Sequence, residues 1–246
     1  MVRLLVTRPE PDASETAARL RALDIEAAVS PLLVARTLTT TLPSATGFAA
    51  LAITSANALR ALHDRGEIPR LHGLPVYTVG DKSAAVARQY GFPEVISAGG
   101  DARDLVALLA NAGIDGPVLY PTARHQAADL AKALAPHGVM VITTAIYEMD
   151  PAPRLDADLD QFDGVLLYSR RTAETFARLA PAGMDRSRPG MLCLAEAVAA
   201  PLLAAHFVRV SLADHPSEEA MMALALSFAR EQKMGMIAST KDGSDG

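Results

Sequence analysis

The sequence predicts an α/β protein with two parallel sheets, on three observations. Short apolar runs alternate with helix-length segments along nearly the whole chain, the pattern of strand–helix units that stack into parallel sheets covered on both faces. The run Leu51-Ala52-Ile53-Thr54-Ser55-Ala56-Asn57 has a second copy in Val165-Leu166-Leu167-Tyr168-Ser169-Arg170-Arg171. Ser169 lies 114 positions beyond Ser55 (169 − 55), and the same offset carries Phe48 onto Phe162, Leu4-Leu5 onto Val118-Leu119 and Leu33 onto Tyr147. Third, two extended segments, residues 25–36 and 139–150, sit at equivalent places in the copies. At about 3.3 Å per residue each could reach near 40 Å, about twice a usual strand.

Length and composition agree with that reading. A chain of 246 residues fits one large domain or two of roughly 100–120, and the repeat favours two. Such a chain buries about 70–75% of its unfolded surface and needs no covalent staples. Half the residues are hydrophobic, yet aromatics are 4% and Trp is absent, as in Ala-rich helices packed on sheets. No apolar run approaches about 18 residues and Met1-Val2-Arg3 leads straight into a strand, so the expectation is a cytoplasmic chain without a membrane helix or secretory signal. The single cysteine, Cys193, lies in the apolar run Met191-Leu192-Cys193-Leu194 and reads as core packing rather than a reactive thiol. Net charge is −5 without a Lys/Arg block, so no basic stripe for nucleic acid is expected.

Taken in order, residues 2–6 form a buried strand. Asp12-Ala13-Ser14-Glu15 is a capping box, with Asp12 as N-cap, opening a helix to about Leu23. Residues 25–36 form the first crossing segment. Strands at residues 50–54, 75–79 and 94–97 each lead into a helix, the first through Leu59 and Leu62, the second ending near Tyr90-Gly91, the third carrying Leu105, Leu108 and Leu109. The second copy repeats this: strand 117–120, helix 127–134, crossing segment 139–150, strands 164–168, 191–194 and 208–211, and a last helix from about Ser217 to Arg230. Residues 233–246 read as a disordered tail. If each crossing segment leaves one sheet for the other, residues 1–34 plus 151–232 make domain one and residues 38–146 make domain two. The N-terminal segment is then shared with the C-terminal domain, and the two crossing segments pair as a two-stranded β linker. Each domain holds five strands, consistent with flavodoxin-like order. Two contiguous halves are the alternative.

Ligands bind beyond the carboxyl ends of parallel strands, where helices begin with unsatisfied N–H groups and a partial positive charge. In domain two these places are Thr54-Ser55-Ala56-Asn57, Gly80-Asp81-Lys82-Ser83, Gly99-Gly100-Asp101 and Pro121-Thr122-Ala123-Arg124. In domain one they are Thr7-Arg8-Pro9, Ser169-Arg170-Arg171-Thr172 and Ala195-Glu196-Ala197. Hydroxyls and glycines there suit a polyanion, although Ser55, Ser83 and Ser169 read equally as ordinary N-caps. Arg170 and Arg171 have no counterpart in the first copy and could clamp a carboxylate, or be a solvated pair. A nucleotide phosphate loop, a dinucleotide glycine fingerprint and a nucleophile elbow are missing, and no two histidines fall at i, i+4. That pattern fits chemistry needing no metal and no cofactor, or plain binding.

The chain resembles the uroporphyrinogen-III synthase family over residues 3–230. The resemblance rests on Leu5-Val6-Thr7-Arg8-Pro9, Ile53-Thr54-Ser55-Ala56-Asn57-Ala58, Val79-Gly80 with Ser83-Ala84-Ala85, Ile146-Tyr147 and Leu166-Leu167-Tyr168-Ser169. It departs from the family pattern at residues 194–199, where Leu-Ala-Glu-Ala-Val-Ala replaces Ile-Gly-Pro-x-Thr-Ala and leaves no hydroxyl at Val198, and at Ser169-Arg170-Arg171, where Ser-Pro-Ser is common. The resemblance implies a monomeric tetrapyrrole-pathway enzyme closing hydroxymethylbilane into uroporphyrinogen III, with inversion of ring D through a spiro intermediate and loss of water. Its partner is that polyanionic substrate, delivered by the preceding deaminase. It also implies Tyr147 as the general acid, for which a ladder tyrosine packing the hinge is the alternative. The substrate-binding candidates are Thr7, Arg8, Thr54, Ser55, Ala56, Asn57, Gly80, Lys82, Ser83, Arg124, Ser169, Arg170 and Arg171. A non-catalytic clamshell for a small polyanion is the competing class, and a flavodoxin-like nucleotide binder a third.

Overall fold

The computed structural model describes residues 1–126 and 129–242. In chain order the first elements are β1 (Arg3–Val6), α1 (Asp12–Ala22), β2 (Glu26–Val29), β3 (Leu33–Thr37), β4 (Ala50–Ile53), α2 (Ala56–Asp64) and α3 (Ile68–Leu71). Then come β5 (Val76–Thr78), α4 (Asp81–Gln89), β6 (Val95–Ser97), α5 (Ala102–Asn111), β7 (Val118–Ala123), α6 (Leu130–Leu134) and β8 (Val141–Pro151). The last are β9 (Gly164–Leu167), α7 (Arg170–Leu179), β10 (Gly190–Cys193), α8 (Glu196–Ala204), β11 (Val210–Leu212) and α9 (Glu218–Asp242). Contacts divide the chain into two compact units, Met1–Val34 with Asp150–Gly246, and Ala35–Met149. Among the described residues no helix is long and apolar enough to cross a membrane.

The first unit carries a five-stranded sheet in the order β11-β10-β9-β1-β2, all pairs parallel. Numbered within the unit this is the 2-1-3-4-5 order of a doubly wound flavodoxin-like sheet. Alternating residues serve opposite faces, as the strand's period of two requires. Leu5, Val165, Leu167, Met191 and Cys193 pack with Phe176, Val198, Leu202 and Phe207 on one side. Leu4, Val6, Leu166 and Leu192 pack with Ala13, Ala17, Leu20, Met221, Ala225 and Phe228 on the other. Each fully buried Leu or Phe contributes about 1.5–3 kcal/mol relative to exposure, so these two layers hold the sheet. Cys193 sits inside the first of them, where burial pushes its thiol up to about 12.

The second unit's sheet runs β3-β8-β7-β4-β5-β6. Leu51, Ile53, Val76 and Leu119 meet Leu59 and Leu62 on one face. Ala50, Ala52, Tyr77, Val118 and Tyr120 meet Leu105, Leu109, Leu130 and Leu134 on the other. The pairs among β4 to β8 are all parallel. At the edge, Leu38 N–H donates to Ile146 O and Ala152 N–H to Leu32 O. The partners fall as the positions rise, so β3 runs antiparallel to β8.

The repeat is visible in the registers. In the first unit Leu4 pairs with Gly164 and with Ala27. In the second Val118 pairs with Ala50 and with Val141, the same pairings moved by the sequence offset. Each sheet thus takes its first two parallel strands from one copy and the next three from the other.

Several local expectations are corrected. Helix α1 has Pro11 at its N-cap without a side-chain cap. Instead of an Asp12 box, the Glu10 carboxylate accepts from Ser14 N–H at 3.0 Å and from Ser14 Oγ at 2.7 Å. Residues 25–36 break into β2 and β3, because Pro31 has no N–H to continue a ladder. The short helix α3 is not anticipated by the sequence pattern. The expected helix over 127–134 spans Leu130–Leu134 with Asp129 as N-cap, and 127–128 lie outside the described residues. Strand 117–120 extends to Ala123, since β8 continues beside it through Ala123↔Tyr147. The last helix reaches Asp242, in place of the tail expected from residue 233; residues 243–246 lie outside the description.

A side chain on Gly190 would place Cβ 2.3 Å from the Phe228 ring. Gly190→Ala should therefore overpack that layer and cost about 1–3 kcal/mol, read as a lower urea midpoint; an unchanged midpoint would contradict the packing described.

Candidate active site

In a doubly wound sheet a crevice opens beyond the carboxyl ends where the strand order reverses. In the second unit that reversal falls between β4 and β7, in the first between β1 and β9. The chain places quite different chemistry at the two.

At the second unit's reversal, Thr54 follows β4 and shares a hydrogen bond of 2.9 Å with Tyr120 Oη from β7. Ser55 is the N-cap of α2, accepting from Asn57 N–H at 3.2 Å, and its hydroxyl lies near the Tyr147 phenol. Tyr147 is only 6% exposed. Burial raises its pKa above the usual 10, the nearby Ser55 hydroxyl opposes this and Tyr120 adds to it, so at neutral pH Tyr147 is a protonated donor. Ala56 opens α2 and is buried. Asn57 accepts from Arg60 at 2.6 Å through Oδ1.

The neighbouring helix starts differ. Gly80 is the extended N-cap of α4, and no side chain caps it; an uncapped helix start is a favourable place for an anion. Lys82 is exposed there, and Ser83 is buried one turn in rather than being a cap. By contrast α5 is closed by its own box: Asp101 accepts from Arg103 and Asp104 N–H, and Asp104 accepts from Asp101 N–H. A start already holding two carboxylates repels a third.

Arg124 does not open a helix. It lies in the bend after β7, its N–H donating to Tyr147 O at 2.9 Å, its guanidinium 2.8 Å from the buried Glu148 carboxylate. Arg36 of β3 pairs with the other oxygen of that carboxylate.

In the first unit the reversal is filled by the protein's own charges. Arg8 pairs with Asp12 at 3.1 Å and Glu218 at 2.5 Å, donates to Thr16 Oγ1, and lies 4.1 Å over the Tyr168 ring. Thr7 is fully buried and donates its hydroxyl to Leu166 O at 2.7 Å. Burial, then the Glu218 charge, pushes the Tyr168 phenol well above its ordinary value. Ser169 caps α7 by accepting from Thr172 N–H at 3.2 Å, and Arg170 pairs with Glu174 at 2.9 Å. Arg171, Thr175 and Arg178 line a cavity of about 470 Å³ beside Pro151 and Pro153. Val198, at the departure from the family pattern, packs into the core.

Thus Thr54, Ser55, Ala56, Asn57 and Tyr147 come together, with Gly80, Lys82 and Ser83 along the same carboxyl edge. Sequence reasoning named neither Tyr120, Glu148 and Arg36 in that unit nor Tyr168 and Glu218 in the other as site residues. Tyrosines at strand ends are a usable signal for the first and fourth; nothing local marks the others.

A chain of two doubly wound sheets, with phenols, hydroxyls and an uncapped helix start at one carboxyl edge, has the layout of the α/β proteins that bind ligands beyond the carboxyl ends of their strands. A family model described as Uroporphyrinogen-III synthase HemD matches residues 14–223. The chain belongs to the uroporphyrinogen-III synthase family. The family's reaction, and so this enzyme's, is cyclisation of hydroxymethylbilane to uroporphyrinogen III in haem biosynthesis. In fold it is similar to the uroporphyrinogen-III synthetase of Helicobacter pylori, with a TM-score of 0.66 at 19% identity over 92% of this chain and 99% of that one. A mutant uroporphyrinogen III synthase from the extremely thermophilic bacterium Thermus thermophilus is similar at a TM-score of 0.54 and 16% identity, over 94% of this chain and 100% of that one. No curated protein matches the chain.

Because folding raises the Tyr168 pKa, the unfolded chain ionises first. Its contribution is complete below about pH 10 and is lost as pH rises towards the folded value. Tyr168→Phe should flatten the fall of urea-unfolding stability above about pH 10; an equally steep fall would contradict this.

Proposed function

We propose that the second unit's strand reversal is where hydroxymethylbilane reacts, with Tyr147 as general acid. The observation that carries this is the buried Tyr147 phenol, kept protonated by its burial and lying near Ser55, the residue that caps α2. The reaction breaks the bond between the terminal hydroxymethyl carbon and its oxygen, leaving an azafulvene. The departing hydroxide takes a proton and leaves as water. A phenol above 10 is still far more acidic than water at 15.7, so transfer to the leaving oxygen runs downhill. Tyr120 and Thr54 hold the adjacent strand end in place. What remains is orientation: the free end of ring A must meet the substituted position of ring D before the ordinary position does.

The substrate's acetate and propionate groups meet the N–H groups opening α2 and α4, with Ser55, Asn57, Gly80, Lys82 and Ser83 along that edge. Each carboxylate at a helix start gains about 0.3–1 kcal/mol, and each charge-assisted hydrogen bond about 1.5–3. A handful covers the roughly 8 kcal/mol of micromolar binding after association costs. Ser169, Arg170 and Arg171 at the start of α7 offer further contacts in the first unit. Thr7 and Arg8 act there from behind, one strapping β1 to β9 and the other bracing Tyr168.

We take residues 1–34 with 151–232 as one domain and 38–146 as the other, in line with the contact division. The chain works as a cytoplasmic monomer fed by the deaminase that makes its substrate; in each unit both sheet faces are already covered by the unit's own helices.

Hydroxymethylbilane generated from porphobilinogen by a deaminase, then oxidised and resolved by isomer, tests the reading. Type III product is expected; type I alone, as without protein, would leave only the binding clamshell. Tyr147→Phe should lower kcat by about 10²-fold, the lower end for general acid catalysis, with thermal unfolding little changed. An unchanged rate would remove Tyr147 from the acid's role.

A further inference from the structure

We infer that Arg36 and Arg124, aimed by the buried carboxylate of Glu148, form a receptor for one carboxylate arm of the substrate. This rests on the reading that the chain acts on hydroxymethylbilane, and it adds Arg36 and Glu148 to the machinery.

The three residues come from three segments: Arg36 from β3, Arg124 from the bend after β7, Glu148 from β8. The antiparallel pairing of β3 with β8, fixed at Leu38 with Ile146 and Leu32 with Ala152, sets Arg36 directly opposite Glu148. Directly opposed residues on antiparallel strands are close neighbours. Each Glu148 oxygen takes one arginine nitrogen. Arg124 is fixed a second time, since its backbone N–H donates to Tyr147 O.

Exposure separates receptor from strap. The Glu148 side chain is 8% exposed, whereas Arg36 is 57% and Arg124 53% exposed. A buried carboxylate needs one paired cation to be tolerated. Here it has two, and both present about half their surface to water. On a chain of net charge −5 two half-exposed guanidinium groups side by side offer an octa-acidic substrate a local attraction. Arginine is also the side chain whose planar fork suits a carboxylate, and here its direction is set before binding.

Tyr147 and Glu148 are consecutive on a strand, so their side chains leave opposite faces. The receptor therefore grips an arm away from the bond that breaks. Binding energy used equally in ground and transition states appears in KM and not in kcat.

The full-length enzyme with deaminase-generated hydroxymethylbilane tests this through Arg124→Gln, Arg36→Gln and Glu148→Gln. Each should raise KM about tenfold, the scale of one lost charge-assisted contact, while kcat and the type III fraction stay within about threefold; salt should raise KM less steeply than in the parent. KM within twofold of the parent, with only a lower unfolding temperature, would overturn the proposal and leave a structural bridge. Should a glutamine variant fail to fold, Arg124→Lys and Arg36→Lys keep the charge and should raise KM about threefold, having lost the fork; unchanged KM there also overturns it. Quenching of uroporphyrin III fluorescence, with its octamethyl ester as control, reads the receptor without turnover. If the parent makes only type I product, the functional reading has failed. Weaker binding of the free acid alone by Arg124→Gln then still supports the receptor, and equal binding overturns it.

Discussion

The pairing on which the rest depends lies at the centre of each sheet, where the opening strand of one copy meets the third strand of the other. Leu4 against Gly164 and Val118 against Ala50 are the same hydrogen-bonded seam made twice. That seam is also where strand order reverses, the place where doubly wound sheets bind their ligands. Neither sheet can close without strands from both copies, so the crossing of residues 30–38 and 146–152 is a requirement of the fold.

Equivalent seams have then been put to different uses. In the first unit Arg8 is matched by Asp12, Glu218 and the Tyr168 ring. That cluster satisfies itself, and a guanidinium so engaged has little to offer a further carboxylate. In the second unit the same position holds neutral groups, Thr54 hydrogen-bonded to Tyr120 and Ser55 near Tyr147. Uncharged donors near an uncapped helix start cost little to keep unoccupied, and they gain most when an anion arrives. The proposed reading uses this asymmetry: the Arg8 cluster of one unit pairs its charges internally, and neutral donors stand at the equivalent place in the other.

The element order and the exchange of strands were legible because both rest on patterns that survive in one dimension: apolar periodicity and an offset repeat. Helix starts were less so. Asp12 has the right type and spacing for a capping box, yet Glu10, reaching forward to Ser14, takes the position. The continuation of β7 through Pro121 follows from the length of its neighbour β8, which local residues do not encode. Ser55 could be named from sequence because it closes an apolar run, and Tyr147 through the family resemblance. Arg36 and Glu148 could not, because their meeting depends on an antiparallel register 112 positions apart in the chain (148 − 36). Thr7 was legible as a residue at a strand end, but its hydroxyl turns back to strap β1 to β9.

The central claim is that anionic groups are received by backbone and hydroxyl donors at the carboxyl ends of the strands. Amide hydrogen exchange with and without a saturating uroporphyrin ligand measures this directly. Slowed exchange at residues 55–58 and 81–84, with residues at the opposite, amino ends of the same strands unchanged, is the result predicted. Slowing confined to the amino ends, or to the box-capped start of α5, would contradict the account.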